Sequence, residues 1–91
     1  MNANKIAIES LSMDLMRVAL GYHRGSVRTA EKFSDEANKR IQEIEKSKVK
    51  PYFSRILSKI FISLKNKDQT RIAEDALMYS VLCKNYVNKF L

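Results

Sequence analysis

The chain contains one histidine, His23, and one cysteine, Cys83, and these two residues bound the chemistry open to it. A nucleophile–base–orienter set built on a single His needs a Ser, Cys or Thr and a carboxylate held beside it. Cys83 falls among apolar residues at helical spacing, where a free Cys behaves as a small buried hydrophobe. Structural zinc takes four Cys or His ligands, more than the chain holds. A carboxylate-bridged two-metal bundle needs Glu-x-x-His pairs, and the sequence has none. Two acidic clusters remain, Glu31 with Asp35 and Glu36, and Glu74 with Asp75. Glu31 and Asp35 stand one helical turn apart, a spacing that suits a divalent cation. Arg28, Lys32, Lys39 and Arg40 lie among them at ion-pair spacing, however, and the cluster reads as a solvated, salt-bridged face. The expectation is a protein without catalytic activity, cofactor, metal or small-molecule substrate.

The charge is more informative. The chain carries a formal net charge of +7, and all of it belongs to residues 46–71. Lys46, Lys48, Lys50, Arg55, Lys59, Lys65, Lys67 and Arg71 face a single acid there, Asp68, while the remaining residues balance. Arg55 and Lys59 are four apart and share one helix face. Lys46, Lys48 and Lys50 crowd one end of that helix, and Lys65, Lys67 and Arg71 the other. Such a row suits a phosphate backbone or another polyanion, through counterion release and long-range steering. The plain alternative is a surface that keeps a small protein soluble. Tyr52 is placed to stack on a base, although a Tyr at helical spacing beside Phe53 and Ile56 also reads as core.

Arg17 and His23 form an Arg-x5-His pair. This spacing resembles the Arg-x4–6-His signature of the HEPN family, helical bundles that include metal-independent ribonucleases. The resemblance implies that His23 acts as general acid or base and Arg17 holds the phosphate. Residues 17–41, RVALGYHRGSVRTAEKFSDEANKRI, also resemble the first helical hairpin of translin-like proteins. The matching positions are His23, Arg24 and Gly25 in the turn, then Ala30 and Ala37 along the inner face of the next helix. That family is all-helical, oligomeric and binds single-stranded RNA or DNA, so this resemblance implies the same class of ligand.

Four helices must position these residues. Over residues 4–22, Ile8, Leu11, Leu15, Val18 and Tyr22 form one stripe, and Ile6, Met13, Met16 and Leu20 a second beside it. So wide an apolar face predicts a deeply buried helix, ending at Gly21 or Gly25. A second helix is expected from the N-cap Ser26 to about Lys46 or a turn beyond. Its narrow stripe of Val27, Ala30, Ala37, Ile41 and Ile44 predicts the most exposed helix of the set. Pro51 suits the first position of a third helix, with Tyr52, Phe53, Ile56, Leu57, Ile60, Phe61 and Leu64 as its apolar face to about Lys65. Asp68 is the N-cap of a fourth helix, on which Ile72, Ala76, Tyr79, Cys83, Tyr86 and Phe90 align and Leu77, Val81, Leu82 and Val87 widen the face. Short connections favour antiparallel neighbours.

The fold class is therefore all-α, an antiparallel up-down bundle of four helices forming one domain over residues 1–91. The alternative has three helices, with the middle pair fused into one bent helix. Two glycines and one proline in 91 residues cannot supply the turns of a sandwich or barrel. No apolar run approaches the ~20 residues of a membrane span, and Lys5, Glu9, Asp14 and Arg17 interrupt any signal-peptide core. A lone cysteine fits the cytoplasm. A chain this small is marginal alone, and its apolar faces exceed what one bundle hides. A homo-oligomer, dimer or higher, is the expected remedy. The functional expectation is a non-catalytic module binding RNA or another polyanion through Lys48, Lys50, Arg55, Lys59, Lys65, Lys67 and Arg71. The alternatives are a protein–protein adaptor, in which alanine at Phe61 or Tyr86 changes assembly, and a ribonuclease using Arg17 and His23.

Overall fold

The computed structural model describes residues 2–91 as four helices in up-down order: α1 (Ala3–His23), α2 (Val27–Glu43), α3 (Pro51–Ser63) and α4 (Gln69–Phe90). The organising element is α1, which packs against α2 along one flank and α4 along the other. Its stripe of Ile8, Leu11, Leu15 and Val18 is wholly removed from solvent. The second stripe is not buried as its spacing suggested: Ile6, Met13 and Leu20 face outward, Met13 with 54% of its surface exposed. The apolar face of α1 is wider than α2, α3 and α4 together cover.

Small residues allow the close approach on both flanks of α1. A Cβ on Gly21 would stand 2.8 Å from the backbone nitrogen of Ala30 in α2, so only glycine permits this approach. Against α4, Ser12 and Ser80 meet with both side chains buried. Each hydroxyl donates to the other residue's backbone carbonyl at 2.8 Å, and the two oxygens lie 3.2 Å apart. α3 instead bears on the bundle through large side chains. Phe53, Leu57 and Ile60 are fully buried, and the Phe53 ring stacks on Tyr86 at 4.0 Å. α2 buries only Ala30, Ala37 and Ile41, the exposed character its narrow stripe predicted.

The helix ends have local causes. Asn2 caps α1 by accepting from the Lys5 amide at 3.2 Å. At its C-terminus the Gly25 amide donates to the Tyr22 carbonyl and the Ser26 amide to that of Gly21, with Gly25 at φ 77°. This is the paired closure that needs a left-handed residue, and Gly25 is the one that supplies it. Ser26 occupies the N-cap position of α2, but its hydroxyl donates to the Thr29 hydroxyl at 2.8 Å instead of accepting from the backbone. Asp68 caps α4 as expected, accepting from the amides of Thr70 and Arg71.

α2 stops at Glu43, a turn before the expected end near Lys46, and does not fuse with α3. The cause is the Asn4 side chain, which accepts from the Glu45 amide at 2.9 Å and donates to the Glu45 carbonyl at 3.1 Å. This clamp holds Ile44 and Glu45 extended, and one 3-10 turn over Lys46–Lys48 follows. The Lys50 amide then donates to the Tyr86 hydroxyl at 2.9 Å, and Pro51 opens α3. The middle pair is two separate helices.

Candidate functional site

α3 contains no acidic residue, and its outward face carries Arg55 and Lys59. At 100° per residue both point away from Phe53, Leu57 and Ile60, which face the core. Ile62 lies on the same outward face with 70% of its surface exposed. All seven cations of the predicted surface, Lys48, Lys50, Arg55, Lys59, Lys65, Lys67 and Arg71, are exposed. They are not equally free. Lys48 pairs with Glu45 at 3.5 Å and Arg71 with Asp75 at 3.6 Å. The Lys65 ammonium sits 4.1 Å from the centre of the Phe61 ring, and that of Lys50 lies 5.3 Å from that of Phe90. Arg55, Lys59 and Lys67 have no ion-pair partner among the described residues.

Lys59, Lys65 and Arg71 come together where α3 ends and α4 begins. They line a cleft of about 540 Å³ with Ser63, Asn66 and Tyr79. Asp75 also lines it, accepting from the Ser63 hydroxyl at 3.1 Å and holding the Arg71 guanidinium one turn along α4. Lys48 and Lys50 occupy the opposite end of α3, so the cations form a strip along that helix and not a single pocket. Tyr52, whose spacing reads as core, is 43% exposed and turns its ring edge to Tyr86 and Phe90. Tyr86 is itself interior, whereas Phe61 is partly exposed beneath Lys65.

Arg17 and His23 line adjoining grooves between α1 and α4, not the same one. His23 is the exposed last residue of α1 and lines a groove with Gln69, Thr70 and Glu74. Arg17 lies further along α1, 3.7 Å from Asp14 and with its guanidinium 5.2 Å from the Phe33 ring centre. Two of the four carboxylates of α2 are held by neighbouring cations, Glu36 by Lys39 at 3.4 Å and Glu43 by Arg40 at 3.2 Å, while Glu31 and Asp35 have no ion pair among the described residues. Among the described residues no three His, Cys, Asp or Glu side chains converge as a metal site would require. Cys83 is buried on α4, and burial pushes its thiol up to about 12, far from thiolate reactivity at neutral pH.

Of the four buried polar residues that the sequence did not announce, Asn4, Ser12, Asp14 and Ser80, Asp14 is the ionisable one, set beside Arg40 of α2. Its oxygens lie 3.7 Å from Arg17 and 3.7 Å from the Arg40 Nε, too far for hydrogen bonds. Burial raises its pKa, and the attraction of Arg40 and Arg17 opposes that shift without cancelling it. Its Oδ2 and the Arg40 Nε are both buried and without a hydrogen-bond partner. The only sequence signal was a carboxylate beside the apolar stripe of a wide-faced helix.

No helix among the described residues is long and apolar enough to cross a membrane. No protein-family model, curated protein or solved structure matches the chain.

Proposed function

We propose that this protein is a non-catalytic helical module that binds RNA or a similar polyanion along α3. The observation that carries this reading is the acid-free outward face of α3, where Arg55 and Lys59 stand without ion-pair partners while the acids of α1 and α2 lie elsewhere. A cation already bound to a carboxylate must break that pair to meet a phosphate, as Lys48 and Arg71 must, and Lys50 and Lys65 rest against aromatic rings, so Arg55, Lys59 and Lys67 lead the interaction. Contacts of this kind go to phosphate and carry no base readout, so the affinity is salt-steep and indifferent to sequence. The test is titration of a fluorescent single-stranded RNA with the parent and with R55A/K59A/K67A at several salt concentrations. Each lost phosphate contact removes about 0.7 from the logarithmic salt slope of single strands, so the triple variant loses about 2. Unchanged affinity and slope would sink the reading.

A second reading, self-association, rests on a different observation. Ile6, Met13 and Leu20 of α1 and Leu77, Met78 and Val81 of α4 remain exposed, large apolar side chains that a second chain would remove from water. A concentration series of sedimentation equilibrium runs tests it, and a constant monomer mass rejects it.

A further inference from the structure

The face of α1 that α2, α3 and α4 leave open has a pattern of its own. Ile6, Met13 and Leu20 recur every seven residues, the repeat that keeps one seam running along a helix. Met16 and Leu20 join two grooves between α1 and α4, of about 480 and 630 Å³, into one trough. No residue of α2 or α3 lines either groove. Glu9 and Arg17 rim the trough on α1, Glu74 and Lys84 on α4.

These rim charges balance, in a chain whose net charge is +7. Glu9, Glu74 and Lys84 have no ion pair within the chain among the described residues, and Arg17 reaches only the distant Asp14. Two acids and two cations give a polyanion nothing to prefer. They suit a surface bearing the same charges in reverse order.

Their order is symmetric. On α1, Ile6 and Leu20 lie seven residues to either side of Met13, and Glu9 and Arg17 lie four to either side. The Ser12–Ser80 contact sets the level of antiparallel α4 against α1, which puts Tyr79 level with Met13. Glu74 and Lys84 lie five residues to either side of Tyr79, again with opposite signs. A two-fold axis through Met13, perpendicular to the helices, therefore brings Ile6 level with Leu20, Glu9 level with Arg17 and Glu74 level with Lys84 of another copy. Self-complementarity about one point is what an isologous interface requires.

Resting on the self-association reading, we infer that the occupant of the α1–α4 trough is a second copy of this chain, with the two α1 helices antiparallel and crossing at Met13. On α4 the groove-facing residues Ala73, Leu77, Ser80 and Lys84 lie about 130° around the helix from Ile72, Tyr86 and Phe90 on the α3 side. The dimer thus leaves each α3 on an outer surface, and its cations do not face one another across the interface.

The test is a charge exchange read by sedimentation equilibrium, with far-ultraviolet circular dichroism as the check on folding. Glu9 and Arg17 are exposed, so E9R and R17E should retain the fold. Each single reversal turns two attractions per dimer into repulsions and is expected to weaken dimerisation about tenfold or more. The double variant E9R/R17E restores opposite signs across the crossing and is expected to return to within about threefold of the parent. A parent that dimerises while the double variant stays as weak as the singles overturns this arrangement but leaves self-association standing. Such a result includes the parallel packing, in which Glu9 would meet Lys84. A parent that is monomeric at every concentration overturns both.

Discussion

Ser12 and Ser80 stand 68 residues apart and satisfy each other inside the bundle, each hydroxyl donating to the other's carbonyl at 2.8 Å. The pair does the work that two apolar side chains would do less well at this spacing. A serine is small enough to let α1 and α4 close, and its hydroxyl needs a partner once buried. Ser12→Ala and Ser80→Ala are each expected to cost about 1 kcal/mol in urea unfolding. The double variant should cost about the sum, because each hydroxyl's acceptor is a backbone carbonyl that the other substitution leaves in place. A cost well below the sum would show that the two hydroxyls are coupled through their 3.2 Å contact. Ser12→Val should cost more than Ser12→Ala, since its branched side chain holds the helices apart.

Gly21→Ala offers a contrast with ordinary helix propensity. In the interior of an exposed helix the change would stabilise by about 1 kcal/mol. Here the new methyl would lie 2.8 Å from the Ala30 nitrogen and 3.0 Å from its Cα, backbone atoms that cannot swing aside. A loss of about 1–3 kcal/mol is expected in thermal or urea unfolding, with α1 and α2 displaced from one another. A neutral or stabilising result would mean that this approach is looser than it stands.

Asp14 sets a pH dependence whose sign follows from its raised pKa. The protonated acid is favoured in the folded chain relative to the unfolded one. Its stabilising effect is therefore complete below the ordinary carboxylate value of 3.8 and is lost as pH rises through the higher folded value. Asp14→Asn removes this dependence, so the parent should lose stability relative to the variant between acid and neutral pH. Paired urea melts at about pH 3.5 and pH 7 check it, and a difference that is flat or grows in the opposite sense contradicts the assignment.

Cys83 is expected to resist an aromatic disulfide reagent at pH 8 in the folded protein, because the thiol is buried and its pKa is pushed up to about 12. The same thiol should react at once in denaturant. Rapid labelling of the native protein would place Cys83 in a segment that opens readily.

The four helices were legible in the sequence because apolar periodicity and punctuation agreed. Pro51 and Asp68 start α3 and α4 as their residue types require, and the glycine turn closes α1. The end of α2 was not legible. It depends on Asn4, 41 residues away, whose amide competes for the Glu45 backbone. Nor could the spacing of Ile6, Met13 and Leu20 say whether that stripe faced core or solvent, since periodicity marks an apolar face without naming what covers it. The cation strip was visible as composition. Which cations stand free was only partly so: Arg71–Asp75 and Lys48–Glu45 lie within about one turn of chain, whereas the position of Phe90 against Lys50 exists only in the packed chain.

The central place of α1 also sets the order in which the bundle comes apart. Its contact with α2 closes through a short turn, whereas α4 returns to it across most of the chain, and long closures carry the larger entropy cost. Because α3 leans on α4 through the Phe53–Tyr86 stack, freeing one exposes the other. The expected behaviour is that of a stable hairpin carrying a detachable two-helix flap. Hydrogen exchange should find α3 and α4 opening together, at lower free energy than the α1–α2 hairpin.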